Sequence, residues 1–179
     1  MKTVTFEEFL ALNPAWLGNK EQIKSYFDRF GGRVSALDIL KLDDVRPEDK
    51  LWTVLYEEFI PAPILQEFVC VCAEYVLSLI ETRDTRSIKA IEVKRAWLRG
   101  EATELELSDA YTDACSDYKW TAARGIAMYA AMYGAAWHIT YNAAMETARR
   151  AAELSDVVSE AAVFEAQVAY LIMTLEAEV

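Results

Sequence analysis

The stretch from Trp120 to Arg150 contains no proline and is crowded with alanine, and it constrains the fold more than any other part of the chain. Four aromatic side chains recur in it at intervals of four residues, namely Tyr129, Tyr133, Trp137 and Tyr141. Residues four apart lie one above another on the same side of an α-helix, so these rings are predicted to form a slowly spiralling row. Alanine favours the helix and lets neighbouring helices approach closely. The stretch therefore predicts a core helix, or two helices meeting near Gly134.

The composition extends this prediction to the whole chain. At 179 residues, with 54% hydrophobic and 26% charged residues, the chain is long enough for one domain with a well-buried core. It has 6 glycines and 4 prolines, and all the prolines precede Ile64. We therefore expect an all-α, single-domain helical bundle of about seven to nine helices. Short helices are expected in 1–60, and longer helices forming the main bundle in 63–179.

Start and stop signals divide the chain into these helices. Thr5-Phe-Glu-Glu8 and Thr103-Glu-Leu-Glu106 are capping boxes, in which the threonine accepts from a free helix N–H and the glutamate reaches back. Pro47 suits a first helical position, and the glycines at 31–32 and 100 are typical of helix ends. Further caps are expected at Asn19 and Ser35, and the last helix is expected from Ser155 or Asp156 to Glu176. Its predicted buried stripe is Val157, Ala161, Phe164, Val168, Leu171, Ile172 and Leu175.

The charge and the cysteines narrow the classes of function. A formal net charge of −11 and a pI near 4.6 argue against direct nucleic-acid binding, which requires clustered Lys and Arg. An acidic chain favours basic partners, or simply solubility. Three cysteines fit reduced thiols in the cytoplasm better than a disulfide framework, and no signal peptide is expected. The longest apolar run, 60–80, is interrupted by Gln66, Glu67 and Glu74, so no membrane span is expected.

A row of carboxylates is the most unusual charge pattern. Glu106, Asp109, Asp113 and Asp117 are spaced by three, four and four residues, which aligns them on one helix face. Like charges at this spacing repel each other by a few tenths of a kcal/mol per pair, so a compensating role is worth considering. The functional interpretation is a docking surface for a basic protein, extended by Glu101 and Glu104, with carboxylates standing where phosphates would lie.

Other interpretations of this row stay open. A solvated face, or neutralisation by Arg95, Arg99 or Arg124, is the commoner origin of such a pattern. A metal site is not favoured, because helical carboxylate sites of the di-iron type pair Glu with a histidine three residues later. His138 is the only histidine, and no Glu or Asp occupies position 135. We therefore expect neither a metal nor a cofactor.

The aromatic row offers a second candidate site. Tyr129, Tyr133, Trp137 and His138 could line a pocket for a planar ligand, with the histidine as a general base or a pH switch. Core packing of the rings and a hydrogen-bonded core histidine are the commoner outcomes. Cys70 and Cys72 lack CxxC spacing, so buried thiols are expected.

A resemblance to known proteins centres on Ala90-Ile-Glu-Val-Lys-Arg-Ala-Trp-Leu-Arg-Gly-Glu-Ala-Thr103. The Cys70-Val-Cys72-Ala-Glu-Tyr75 segment precedes it and an Ala/Tyr-rich half follows it, so the likeness covers roughly Leu37 to Tyr141. These features resemble a loosely defined set of phage and bacterial helical proteins similar to the predicted immunity proteins of polymorphic toxin systems. The resemblance implies an all-α, non-enzymatic binding protein of bacterial or phage origin. It identifies no catalytic residue.

Three hypotheses of function follow. The leading one is a non-enzymatic, cytoplasmic protein that binds and occludes a basic protein, such as a toxin or a host nuclease, as an immunity protein or an anti-CRISPR-type inhibitor does. No Gly-rich phosphate loop, GxSxG elbow, HExxH or paired CxxC is present, which argues against an enzyme. The alternative is a small-ligand binder or enzyme that uses the aromatic row. The third is a subunit of a structural homo-oligomer.

Overall fold

The computed structural model describes residues 2–12, 20–78, 85–115 and 159–178, and it confirms a mostly helical chain. These ranges contain eight helices and one two-stranded sheet. The helices are α1 (Phe6–Ala11), α2 (Lys20–Arg29), α3 (Ala36–Leu40), α4 (Pro47–Val54), α5 (Ala62–Ser78), α6 (Thr85–Leu98), α7 (Glu104–Cys115) and α8 (Glu160–Ala177). The strands are β1 (Thr3–Thr5) and β2 (Arg33–Ser35). No helix in the described ranges is both long enough and apolar enough to span a membrane.

Contacts divide the chain into two compact units. The first consists of Met1–Pro61 together with Phe164–Val179, and the second of Ala62–Val163. The short helices α1 to α4 lie in the first unit, and most of α8 joins them. The expectation that 1–179 forms a single domain stays a prediction.

Local capping signals define the helices of the first unit. The capping boxes at Thr5 and Ser35 begin α1 and α3, and Pro47 stands in the first turn of α4. Helix α2 ends in a Schellman motif, in which the Gly32 N–H donates to the Phe27 carbonyl at 3.0 Å and the Gly31 N–H to the Asp28 carbonyl at 3.3 Å. The φ angle is 73° at Gly31 and 87° at Gly32, and residues with a side chain rarely adopt such positive values. These predictions from the sequence are confirmed.

Aromatic packing forms the core of the first unit. Phe9 is fully buried, and its ring centroid lies 5.7 Å from that of Phe27, 6.1 Å from Tyr56 and 6.3 Å from Phe59. The angles between ring planes include edge-on contacts, which aromatic pairs prefer to face-to-face stacking. Rings from α1, α2 and the segment after α4 therefore hold these short elements together.

The small sheet was not predicted. Strands β1 and β2 pair antiparallel, with Val4 opposite Val34 and Thr5 opposite Arg33. Each strand has three residues, too few for an alternating pattern to stand out in the sequence. Leu51, Leu55 and Phe59 have the apolar spacing of one helix face, but α4 ends at Val54.

In the second unit, α6 packs against both α5 and α7. The Arg95 guanidinium of α6 bonds the Glu67 carboxylate of α5 at 2.8 Å through Nε, and it also pairs with Glu74. A second Schellman motif ends α6, where the Glu101 N–H donates to the Ala96 carbonyl at 2.8 Å and Gly100 has a φ of 73°. The chain then turns directly into the first turn of α7.

Three predicted features lie wholly or partly outside the described ranges. The Ala-rich aromatic stretch from Trp120 to Arg150 is outside them, and so are Asn19 and Val157. Within α8, Val163, Phe164, Val168, Leu171 and Leu175 are buried. Most of the predicted stripe is therefore confirmed, while Ala161 is exposed and Ile172 is partly exposed.

Candidate functional site on the outer face of helix α7

The predicted capping box fixes the start of α7. The Glu106 backbone N–H donates to Thr103 Oγ1 at 3.2 Å, and the Thr103 N–H donates back to Glu106 Oε2 at 2.7 Å. The Thr103 hydroxyl also donates to the same carboxylate, at 2.8 Å. Hydrogen bonds from the Thr103 backbone, and then from its side chain, lower the pKa of Glu106. Glu106 is therefore a fixed anion at the positive end of the helix.

An apolar inner face orients α7. Leu107, Ala110 and Ala114 are buried and form a cluster with Ala90 of α6, against which Trp97 also packs. Alanine at these positions lets the two helices approach closely. This packing determines which side of α7 faces outward.

The outer face carries the predicted carboxylates. Glu106, Asp109 and Asp113 are all exposed, and we call these three residues the acidic face of α7. At about 100° per residue, Asp109 lies about 140° or more around the helix axis from Leu107 and Ala114, whereas Glu106 and Asp113 flank the buried face, at about 40° and 60° from Ala110. The structure thus brings three of the four predicted residues together, while Asp117 lies outside the described ranges.

An exposed leucine lies at the edge of these carboxylates. Leu105 is 70% exposed, and at about 100° per residue it lies within about 40° of Asp109 around the helix axis. This exposure was not predicted, because a single leucine in a helical segment indicates core. Its position relative to Leu107 was the available signal, since residues two apart lie on nearly opposite sides of a helix.

The basic residues near α7 are only partly placed to neutralise the acidic face. Arg95 pairs with Glu67 and Glu74 of α5 instead. Arg99 pairs with Glu101 at 2.7 Å, so one of the two carboxylates expected to extend the site already has a partner within the chain. Glu104, the other, is exposed, and Arg124 lies outside the described ranges. The prediction that Arg95 neutralises the acidic face is therefore wrong.

A buried lysine lies behind this site and was also missed. Lys94 of α6 is 2% exposed, and its Nζ lies 4.3 Å from the centroid of the Trp97 ring. Burial lowers its pKa to about 8. A lysine in a sequence indicates a solvated position, so only the packing of the folded chain could reveal its burial.

Of the other predicted site residues, the structure describes the two cysteines but not the aromatic row. Tyr129, Tyr133, Trp137 and His138 lie outside the described residues, so the aromatic pocket stays a prediction. Cys70 and Cys72 are buried free thiols, as predicted, and burial raises the pKa of both, for Cys70 to about 12. Within the described ranges, no cluster of three or more His, Cys, Asp or Glu side chains is placed to hold a metal ion.

No protein-family model, no curated protein and no solved structure matches the chain. The likeness to predicted immunity proteins therefore stays a prediction.

Proposed function

We propose that this chain is a non-enzymatic interaction protein that binds a basic partner protein through the acidic face of α7 and occludes it. One observation carries the proposal. Three exposed carboxylates and the 70% exposed Leu105 share the outer side of a helix whose other side is buried. A single exposed apolar residue is common on protein surfaces, so the support comes from the combination of Leu105 with three aligned carboxylates on one side of the helix.

The two kinds of side chain have separate roles in this proposal. The carboxylates steer a basic surface toward α7 and accelerate encounter, an effect that weakens as salt increases. Leu105 then enters a pocket of the partner and loses its contact with water, which slows dissociation. Because the capping box already orders Glu106, little side-chain entropy is lost there on binding.

The proposal extends to the class of partner. A row of carboxylates on a helix resembles, in charge and spacing, the phosphates that a nucleic-acid-binding groove accepts. A nuclease-type toxin or host nuclease would thus be occluded at its substrate groove, in keeping with the resemblance to immunity proteins and with a cytoplasmic, phage or bacterial setting. The net charge of −11 supports a basic partner in general.

A capture experiment with matched variants tests the proposal. The tagged wild type, the double variant Asp109→Asn/Asp113→Asn and the variant Leu105→Asp are incubated with bacterial lysate at low and moderate salt. The control, Glu7→Gln/Glu21→Gln, removes the same amount of charge from exposed positions of α1 and α2. Circular dichroism verifies equal folding.

We expect a basic protein that the wild type and the control capture and both α7 variants lose. Its affinity, measured by titration calorimetry, should fall by about tenfold or more in the double variant at low salt. Its enzymatic activity, if it is a nuclease, should be inhibited by the wild type only. Capture that is equal for all four proteins, or lost equally in the control, contradicts this assignment of the surface.

A further inference from the structure

An open groove in the first unit lies between α8 and the segment from α3 to α4, and it is separate from α7. Its volume is about 450 Å³. Leu40 and Val45 contribute apolar surface on one side, and Val168 and Ile172 of α8 contribute it on the other. Cavities of roughly 300 to 1,000 Å³ bind small molecules in proteins, and this groove is at the lower end of that range. We call it the α3–α8 groove.

The charged groups of the α3–α8 groove are of both signs. Lys41, Lys50, Asp43 and Glu165 all line it. The Lys41 Nζ pairs with the Glu176 carboxylate at 2.6 Å. Asp43 and Glu165 are exposed, so their carboxylates are accessible to a ligand that enters.

Lys50 differs from the other three, because it is 9% exposed. Within the described ranges, its ammonium forms neither an ion pair nor a hydrogen bond. Burial lowers the pKa of Lys50, while the charges of Asp43 and Asp44 oppose that shift from a distance. The Asp44 carboxylate is itself bonded to Arg29, at 2.8 and 2.6 Å.

The stem of Lys50 is buried while its ammonium lines the open groove without a direct partner there, and an anionic ligand group would pair with it through a charge-assisted hydrogen bond. A ligand with negative charge alone would also meet Asp43 and Glu165, which would repel it. A cationic group beside the ligand's anion removes this conflict. The groove therefore suits a zwitterion whose remaining surface is apolar.

We propose that the α3–α8 groove binds a small zwitterion with an apolar body, of the chemistry of a large apolar α-amino acid. Its carboxylate pairs with Lys50, its ammonium faces Asp43 and Glu165, and its side chain packs on Val168 and Ile172. This site is independent of the proposed function of α7, since no residue of α7 lines the groove.

Titration calorimetry on the full chain with four probes tests this proposal. The probes are L-phenylalanine, 3-phenylpropanoate without the amine, 2-phenylethylamine without the carboxylate, and N-acetyl-L-phenylalanine, which mimics a peptide C-terminus. We expect L-phenylalanine to bind with a Kd of about 1 mM or tighter. Each of the other probes should bind at least about tenfold more weakly, because each leaves one charge of the groove unmatched.

Three variants locate the site. Lys50→Met should reduce L-phenylalanine affinity by about tenfold or more. Asp43→Asn should reduce the preference for L-phenylalanine over 3-phenylpropanoate. Ala169→Phe fills the groove from an exposed position of α8, leaves Lys50 in place and should abolish binding. The control, Lys24→Met, removes an exposed lysine of α2 that does not line the groove, and it should bind as the wild type does.

Three results would overturn the proposal. The first is the absence of saturable L-phenylalanine binding to the wild type. The second is unchanged binding in Ala169→Phe, which decides the matter even if Lys50→Met does not fold. The third is equal affinity for N-acetyl-L-phenylalanine, which would identify the occupant as a peptide C-terminus.

Discussion

At the scale of single residues, the clearest departure from ordinary chemistry is Lys94. It is 2% exposed in the second unit, and burial lowers its pKa from 10.5 to about 8. Its contact with the Trp97 ring compensates part of the lost hydration, since aromatic faces attract cations. The lowered pKa means that the folded chain releases this proton more readily than the unfolded chain does.

The stability of the protein should therefore depend on pH through Lys94. Between pH 8 and pH 10.5 the unfolded chain binds the Lys94 proton while the folded chain has lost it, so the free energy of unfolding rises with pH there. Lys94→Met lacks this rise. We expect its stability relative to wild type to fall by roughly 1 to 3 kcal/mol from pH 7 to pH 10, measured by urea unfolding.

Groups other than Lys94 titrate in both the wild type and Lys94→Met, so their contributions cancel in the stability difference between the two proteins. The raised pKa values of Cys70 and Cys72 act in the opposite direction, because the unfolded thiols ionise first as pH rises, but both proteins contain them. A stability difference that stays constant from pH 7 to pH 10 would show that Lys94 is not held at a lowered pKa.

At the scale of secondary-structure elements, the ends of the helices are determined locally. Three capping boxes and two Schellman motifs occur in the described ranges, and each uses residues a few positions apart. The box at Thr103 has a second consequence, because it fixes Glu106 and the first turn of α7, where Leu105 lies. Loss of the cap should therefore affect the candidate site as well as the helix.

Thr103→Ala tests this link between cap and site. Replacing an N-cap threonine by alanine costs about 1 kcal/mol, so we expect that loss of stability and faster hydrogen exchange in the first turn of α7. The control is Thr112→Ala on the same helix, where the exposed hydroxyl donates to the Ser108 carbonyl at 2.9 Å. The control should change stability by less than about 0.5 kcal/mol. Equal effects of the two substitutions would contradict the importance of the cap.

The features that could be predicted from the sequence are those whose interacting residues are close together in the chain. The caps at Thr5, Ser35 and Thr103 were predictable because all their partners are close in the sequence. The pairing of Thr3–Thr5 with Arg33–Ser35 was not, because it joins strands separated by two helices. The periodicity of the carboxylates predicted the acidic face of α7.

The less predictable site residues depend on packing that no local pattern contains. Lys50 and Lys94 are buried only because other elements cover them, and a lysine in a sequence normally indicates a solvated position. Leu105 is exposed although leucine normally indicates core. The pocket predicted at the aromatic row concerns residues outside the described ranges, whereas the α3–α8 groove involves none of them.

At the scale of the whole molecule, the first unit is assembled from two distant parts of the chain. The residues from Phe164 onward join Met1–Pro61, and Lys41 pairs with Glu176 across that separation. Leu171 of α8 is fully buried. The short helices α1 to α4 therefore share a unit with a helix encoded more than a hundred residues later.

Leu171→Ala should weaken the whole first unit rather than α8 alone. Truncating a buried leucine costs about 2 to 5 kcal/mol, and we expect faster hydrogen exchange in α3 and α4 as well as in α8. The control is Met173→Ala, a truncation at a position of α8 that is 62% exposed, which should leave exchange nearly unchanged. Exchange that accelerates in α8 but not in α3 or α4 would show that the short helices are stable without it.

This arrangement also determines the order of events during synthesis. About 100 residues separate Pro61 from Phe164, and at about 5 to 20 residues per second the ribosome needs roughly 5 to 20 s to make them. During that interval the nascent first unit lacks α8, and the apolar surface that α8 later covers is open to chaperones. Translation speed through the middle of the message should thus influence how much of the protein reaches its native state.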